Sequence, residues 1–117
     1  MNFLVEEQDF HRYADSALED LKQRLLDAEG SASSDFEVDE RNGAIHVEFD
    51  DAPARFVISS NSSARQIWIA ALGSSWKLDW SEQEKDFVLE KTGETLKGLI
   101  SRLLNQQLGR QAVDFTN

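Results

Sequence analysis

The hydrophobic period of this chain changes twice, and that restricts the architectures open to it. From about Phe10 to Ala28, apolar residues recur at Phe10, Tyr13, Ala14, Ala17, Leu18, Leu21, Leu25 and Ala28, the spacing that lays one stripe along a helix. After Gly30-Ser31-Ala32-Ser33-Ser34, a run of turn formers, the period drops to two, as in strands with one covered face. It returns to the helical value beyond Thr92-Gly93-Glu94, where Leu96, Leu99, Ile100, Leu103, Leu104 and Leu108 form a core-facing stripe and Gly109 supplies a C-terminal stop. One-striped helices and one-faced strands bury their apolar surfaces against each other. The sequence therefore predicts an α+β fold in α-β-α order: a two-layer α/β sandwich with both helices on one face of an antiparallel sheet of about six strands, the other face meeting water.

The strongest local signal inside the alternating region is Asn42-Gly43, because both residues tolerate the positive φ of a type I′ hairpin turn. With that dipeptide at the turn centre, Glu40 pairs with Ile45, Val38 with Val47 and Phe36 with Phe49 on one face. Asp39 then meets His46, Glu37 meets Glu48 and Asp35 meets Asp50 on the other. Further strands are expected at Arg55–Ser59, Gln66–Ala71, Trp76–Trp80 and Phe87–Glu90. Between them lie Asp51-Ala52-Pro53, Ser60-Asn61-Ser62-Ser63, Gly73-Ser74-Ser75 and a charged Ser81–Lys85 turn, short connections that favour a meander.

At 117 residues the chain suffices for one core and not two, and no repeat or linker divides it, so residues 1–117 read as one domain. The 22 acidic against 12 basic residues leave a net charge of −10, which repels phosphate backbones and anionic lipid and favours cations or basic protein surfaces. Nucleic-acid and membrane partners are not expected. Without cysteine there is no disulfide, thiolate metal site or cysteine nucleophile. The opening Met1-Asn2-Phe3-Leu4-Val5-Glu6-Glu7 has no basic n-region, long apolar h-region or transit pattern, and no run approaches the roughly 18 apolar residues of a spanning helix. The expectation is a soluble cytoplasmic protein; a mature organellar chain with its leader removed would read the same.

No Gly-rich phosphate loop, G-x-S-x-G, H-E-x-x-H or Cys/His metal spacing occurs, the two histidines, His11 and His46, form no dyad, and no catalytic residue is assigned. What stands out is where negative charge gathers. At about 100° per residue, Asp9, Asp20 and Asp27 form one stripe beside the apolar face of the first helix, with Asp15 and Glu19 further round. The outer face of the hairpin adds Asp35, Glu37, Asp39, Glu48 and Asp50. Like charges directly opposite across a strand pair destabilise it, and such a cost without structural return points to function. Surface carboxylates suit hard cations such as Fe²⁺, Mn²⁺, Mg²⁺ or Ca²⁺, bound weakly for want of a closed cage. They serve equally as a solvated face or as a surface that steers a basic partner.

Aromatic residues add a second feature. If Ile67 and Ile69 face the core, alternation sends Gln66 and Trp68 to the open face, and an exposed tryptophan is typical of binding hot spots. A run covered on both faces is the other reading of the same segment. Trp76, Leu78 and Trp80 alternate with Ser75, Lys77 and Asp79 and read as core.

In order along most of the chain, Asp9-Phe10-His11-Arg12-Tyr13-Ala14-Asp15, Gly43-Ala44-Ile45-His46-Val47, Gln66-Ile67-Trp68-Ile69-Ala70, Leu78-Asp79-Trp80 and Gly93-Glu94-Thr95-Leu96 resemble the frataxin family, specifically its compact bacterial members. The resemblance implies an iron-binding regulator of iron–sulfur cluster assembly that contacts a cysteine desulfurase and the cluster scaffold protein. It implies a monomer with an iron-dependent oligomer, and Fe²⁺ held weakly on an acidic ridge, with Fe³⁺ or other divalent cations as further ligands. Position by position, that ridge would be His11, Asp15, Glu19, Asp27, Glu29, Asp35 and Glu37, to which the charge map adds Asp20 and Asp39. Gln66 and Trp68 would lie on the sheet surface used for partner contact, with Arg65 and Lys77 assisting. The chain departs from the family where ridges often continue, at Lys22, Gln23 and Leu26. It departs again at Ser59, where asparagine is usual, and at Phe87, where tryptophan is common. Two other readings compete: an acidic protein-binding adaptor with incidental metal binding, and a ferroxidase or iron-storage protein, which needs carboxylates converging on one pocket.

Overall fold

In the computed structural model, residues 6–30, 35–50 and 54–116 are described. Chain order is α1 (Glu7–Glu29), β1 (Phe36–Arg41), β2 (Ala44–Phe49), β3 (Arg55–Asn61), β4 (Gln66–Ala71), β5 (Ser74–Ser81), β6 (Asp86–Val88) and α2 (Leu96–Leu108). The expected turn at 31–34, the connection at 51–53 and the opening residues 1–5 lie outside the described residues. The strands form one antiparallel sheet of six in the order β1-β2-β3-β4-β5-β6, the expected meander.

The apolar stripe of α1 buries Phe10, Ala14, Leu21 and Leu25, while Glu7 and Asp9 place negative charge at its N-terminus, where the helix dipole favours it. Residues of one face of the sheet, Val47, Phe56, Ile58, Ile67, Leu78 and Phe87, join Leu99, Ile100, Leu103 and Leu104 of α2 in the same fully buried cluster. Removing such a side chain from water is worth about 1.5–3 kcal/mol, and this alternation selects which face the helices cover. Among the described residues no helix is long and apolar enough to cross a membrane.

The first hairpin has the expected register, with Phe36 opposite Phe49, Val38 opposite Val47 and Asp39 opposite His46. Asn42 and Gly43 take φ of 54° and 80°, the left-handed pair that a two-residue turn requires. Later turns differ from expectation. Leu72 and Gly73 make the β4–β5 turn, Leu72 at φ 53°, and Ser74 and Ser75 belong to β5, opposite Ala71 and Ala70. A leucine seldom adopts positive φ; here the pairing of the flanking strands imposes it. Likewise Ser60 and Asn61 continue β3, and the Asn61 side chain accepts the Ala64 N–H at 2.8 Å inside the turn that follows. Strand β6 starts at Asp86 and ends at Val88, short of the expected Glu90.

Thr95 caps α2, its hydroxyl accepting the Gly98 N–H at 3.2 Å, and Gly109 ends the helix at φ 73°. Two polar residues on α2 hold the chain beyond it. Ser101 Oγ donates to Lys97 O at 2.8 Å and accepts the Phe115 N–H at 2.9 Å. Asn105 Oδ1 accepts the N–H groups of Ala112 and Val113, and its Nδ2 donates to Val113 O. These bonds seat Phe115 in the core.

Candidate cation-binding ridge and sheet-face interface

Helix α1 runs beside β1, and two side-chain contacts tie them. Glu29 Oε1 accepts the Val38 backbone N–H at 2.7 Å; β1 is an edge strand, and this carboxylate covers a donor its ladder leaves open. Lys22 Nζ lies 2.8 Å from Glu19 Oε2 and 3.1 Å from Glu40 Oε1. The Lys22 hydrogen bond holds the Glu19 carboxyl below its usual range, and Glu19 and then Glu40 raise the Lys22 ammonium. On the hairpin, Arg41 Nε is 2.8 Å from Asp39 Oδ2 and its Nη2 is 2.5 Å from Glu48 Oε1, while Arg110 Nη2 reaches Asp35 Oδ2 at 2.9 Å. His11 Nε2 is 3.9 Å from Glu7 Oε1 at the exposed start of α1.

These contacts correct one expectation. The like-charge cost across Glu37–Glu48 and Asp35–Asp50 is offset, because Arg41 pairs with Glu48 and Arg110 with Asp35. An argument for function from uncompensated repulsion therefore fails. Asp15, Asp27 and Glu37 are exposed and carry no side-chain ion pair or hydrogen bond among the described residues. Nor, among the described residues, do any three His, Asp or Glu side chains gather closely enough to hold one ion. The donor set fits a hard cation held by one or two carboxylate oxygens and its own water.

The acidic residues do not form one stripe. Asp20 faces α2, 3.2 Å from Lys97 Nζ and 3.3 Å from Arg24 Nε. It lines a cleft of about 490 Å³ with Tyr13, Trp80, Lys85, Asp86 and Lys97, in which Tyr13 and Trp80 stack with centroids 4.0 Å apart. Desolvation opposes ionisation of Asp20, but Lys97 and Arg24 outweigh it and its carboxyl lies below the usual range. Asp27 borders a second cleft, of about 390 Å³, with Arg24, Phe36, Arg110 and Phe115.

Burial pushes the Asp86 carboxyl up, against the Phe87 N–H it accepts and the nearby Lys97 charge. An acid whose folded pKa is raised binds more protons folded than unfolded, so its contribution to stability falls as pH rises from the ordinary aspartate range through the raised value. Asp86→Asn keeps an oxygen for the Phe87 N–H and removes the charge. Thermal scans should show a higher Tm than wild type at neutral pH, a gain that vanishes below the ordinary aspartate pKa of about 3.9.

The open face of the sheet carries a second ordered group. Trp68 is 36% exposed, and its Nε1–H donates to Gln66 Oε1 at 2.9 Å. Gln66 Nε2 in turn donates to Asp79 Oδ1 at 3.0 Å, and Lys77 Nζ sits 4.9 Å from the centroid of the Trp68 ring. The indole is thus held in place, which lowers the entropy it would lose on binding. Ser59 lies directly opposite Trp68 on β3. Arg65, at φ 54° in the β3–β4 turn, is partly buried with its Nε unbonded.

A family model described as a frataxin-like domain matches residues 4–110. This chain belongs to the frataxin family. Over 109 residues it is 27% identical to a protein of Pseudomonas fluorescens (strain Pf0-1) named iron-sulfur cluster assembly protein CyaY, covering 92% of this chain and 93% of the relative. The CyaY protein of Pseudomonas putida (strain GB-1) is 26% identical over 111 residues, 95% of this chain and 96% of that one. The solved structure of the frataxin from Psychromonas ingrahamii superposes with a TM-score of 0.78 at 18% identity, covering 97% of this chain and 100% of the other. At that identity it establishes the fold, that of a bacterial frataxin with two helices on one antiparallel sheet of six strands.

Within this frataxin, sequence reasoning placed Lys22 in the ridge but missed its cross-element partner. The Glu19–Lys22 pair was readable at a spacing of three, but Glu40 lies 18 residues from Lys22 and no local pattern announces their contact. The anchoring of Gln66 by Asp79 was hidden for the same reason, since it depends on the β4–β5 register.

Proposed function

We propose that this chain is an accessory protein of iron–sulfur cluster assembly in the bacterial cytoplasm, binding Fe²⁺ weakly on the ridge of α1 and β1 and regulating the complex of cysteine desulfurase and cluster scaffold. The name its relatives carry supports the pathway. The observation that carries the site is the set of exposed carboxylates that α1 and the edge strand β1 present, Asp15 on α1 and Glu37 and Asp39 on β1, on a sheet whose open face holds Trp68. The acidic edge suits a basic surface of the desulfurase; the ordered indole suits a scaffold contact. The cations within the ridge favour, as a second reading, an adaptor on which metal is incidental.

An anaerobic NMR titration of the labelled protein, once with Fe²⁺ and once with a cysteine desulfurase, tests both. Iron is expected to perturb amides around Asp15 and Glu37, and the desulfurase an overlapping surface. Desulfurase shifts without iron shifts would establish the adaptor, and silence from both ligands at low salt would reduce the ridge to a solvated face.

A further inference from the structure

Several cations sit within the acidic surface, and one joins its two elements from a sheltered position. The Lys22 side chain is only 21% exposed, against 74% for Lys85, whose nearest carboxylate is 3.8 Å away. Its ammonium lies 2.8 Å from Glu19, on the preceding turn of α1, and 3.1 Å from Glu40, on the neighbouring strand. An ammonium and a hard divalent cation require the same thing of such a gap, anionic oxygen on two sides.

We infer that Lys22 sets the cation affinity of the ridge by filling, with its own ammonium, the place between Glu19 and Glu40 that a divalent cation bridging α1 and β1 would take. The inference rests on the ridge being the cation-binding surface proposed above. In the wild-type chain a metal ion is then left with carboxylates that have no cation of their own, such as Asp15 and Glu37, each able to offer one or two oxygens. The Glu19–Glu40 pair opens to metal only when both ion pairs of Lys22 break.

The test uses the full chain and Mn²⁺, an air-stable stand-in for Fe²⁺, with the free ion counted by electron paramagnetic resonance at low ionic strength. Lys22→Met keeps the aliphatic stem and removes the ammonium; it is expected to bind Mn²⁺ about tenfold tighter than wild type. Lys22→Arg retains the cation and is expected to stay at wild-type affinity. Adding Glu40→Gln to Lys22→Met is expected to cancel the gain. Arg12→Gln, which removes one charge elsewhere on α1, is expected to change affinity by less than about twofold through the general field. If Arg12→Gln tightens binding as much as Lys22→Met, or if the gain survives Glu40→Gln, the inference is overturned and the ridge reading stands without it. If wild type and Lys22→Met both fail to bind Mn²⁺, the two fall together. Amide spectra of each variant verify the fold.

Discussion

Replacing Phe87 by alanine is expected to remove about 3–5 kcal/mol of unfolding free energy, a large part of the roughly 5–15 kcal/mol that holds a domain together. Phe87 is fully buried, and its ring meets Phe10 of α1 at 5.9 Å and Trp80 of β5 at 5.3 Å, both near edge-to-face. Pairs of this kind contribute about 0.5–1.5 kcal/mol beyond the area they bury. The strand that carries it has only three residues, so few ladder hydrogen bonds compensate for a lost side chain. Urea unfolding should show a lower midpoint at unchanged slope. A loss below about 1 kcal/mol would mean that the space collapses on truncation, and that β6 is not anchored by this ring.

On the scaffold contact proposed above, Trp68→Ala should weaken association with the cluster scaffold by about thirtyfold or more, the loss expected of a hot-spot tryptophan worth about 2 kcal/mol. Its effect on Tm should be small, because the indole is 36% exposed and packs on the open face. Gln66→Ala leaves the ring in place but unties its Nε1–H, so a smaller loss is expected, in the entropy of a ring no longer pre-set. Calorimetric titration of the scaffold against the variants would decide: unchanged affinity for Trp68→Ala would remove the sheet face from the partner surface, whatever happens at the ridge.

The candidate site was legible in unequal parts. That Trp68 and Gln66 share the open face followed from alternation, since Ile67 and Ile69 leave them no other side. The composition of the ridge was legible and its geometry was not. A helical wheel treats α1 as a free cylinder, yet the packed helix has two polar flanks. Glu29 and Lys22 turn to β1, whereas Asp20 turns to Lys97 of α2. Glu29, read as a ligand, also caps an edge-strand donor.

What the sequence by itself determined were the features encoded between near neighbours. Two helices and a meander follow from the period of the apolar residues, the register of the first hairpin from Asn42-Gly43, and the end of α2 from Gly109. Each is decided within a few residues by φ preference or by which face must leave water, so chain order suffices to read it. Only the tertiary structure decided that Leu72 takes a left-handed turn position, that Asn61 stays in β3, and that Lys22 meets Glu40 and Arg110 meets Asp35. Those outcomes depend on how finished elements pack. Exposed ion pairs are each worth at most about 1 kcal/mol, too little to direct folding, so they form wherever the buried core happens to bring opposite charges within reach.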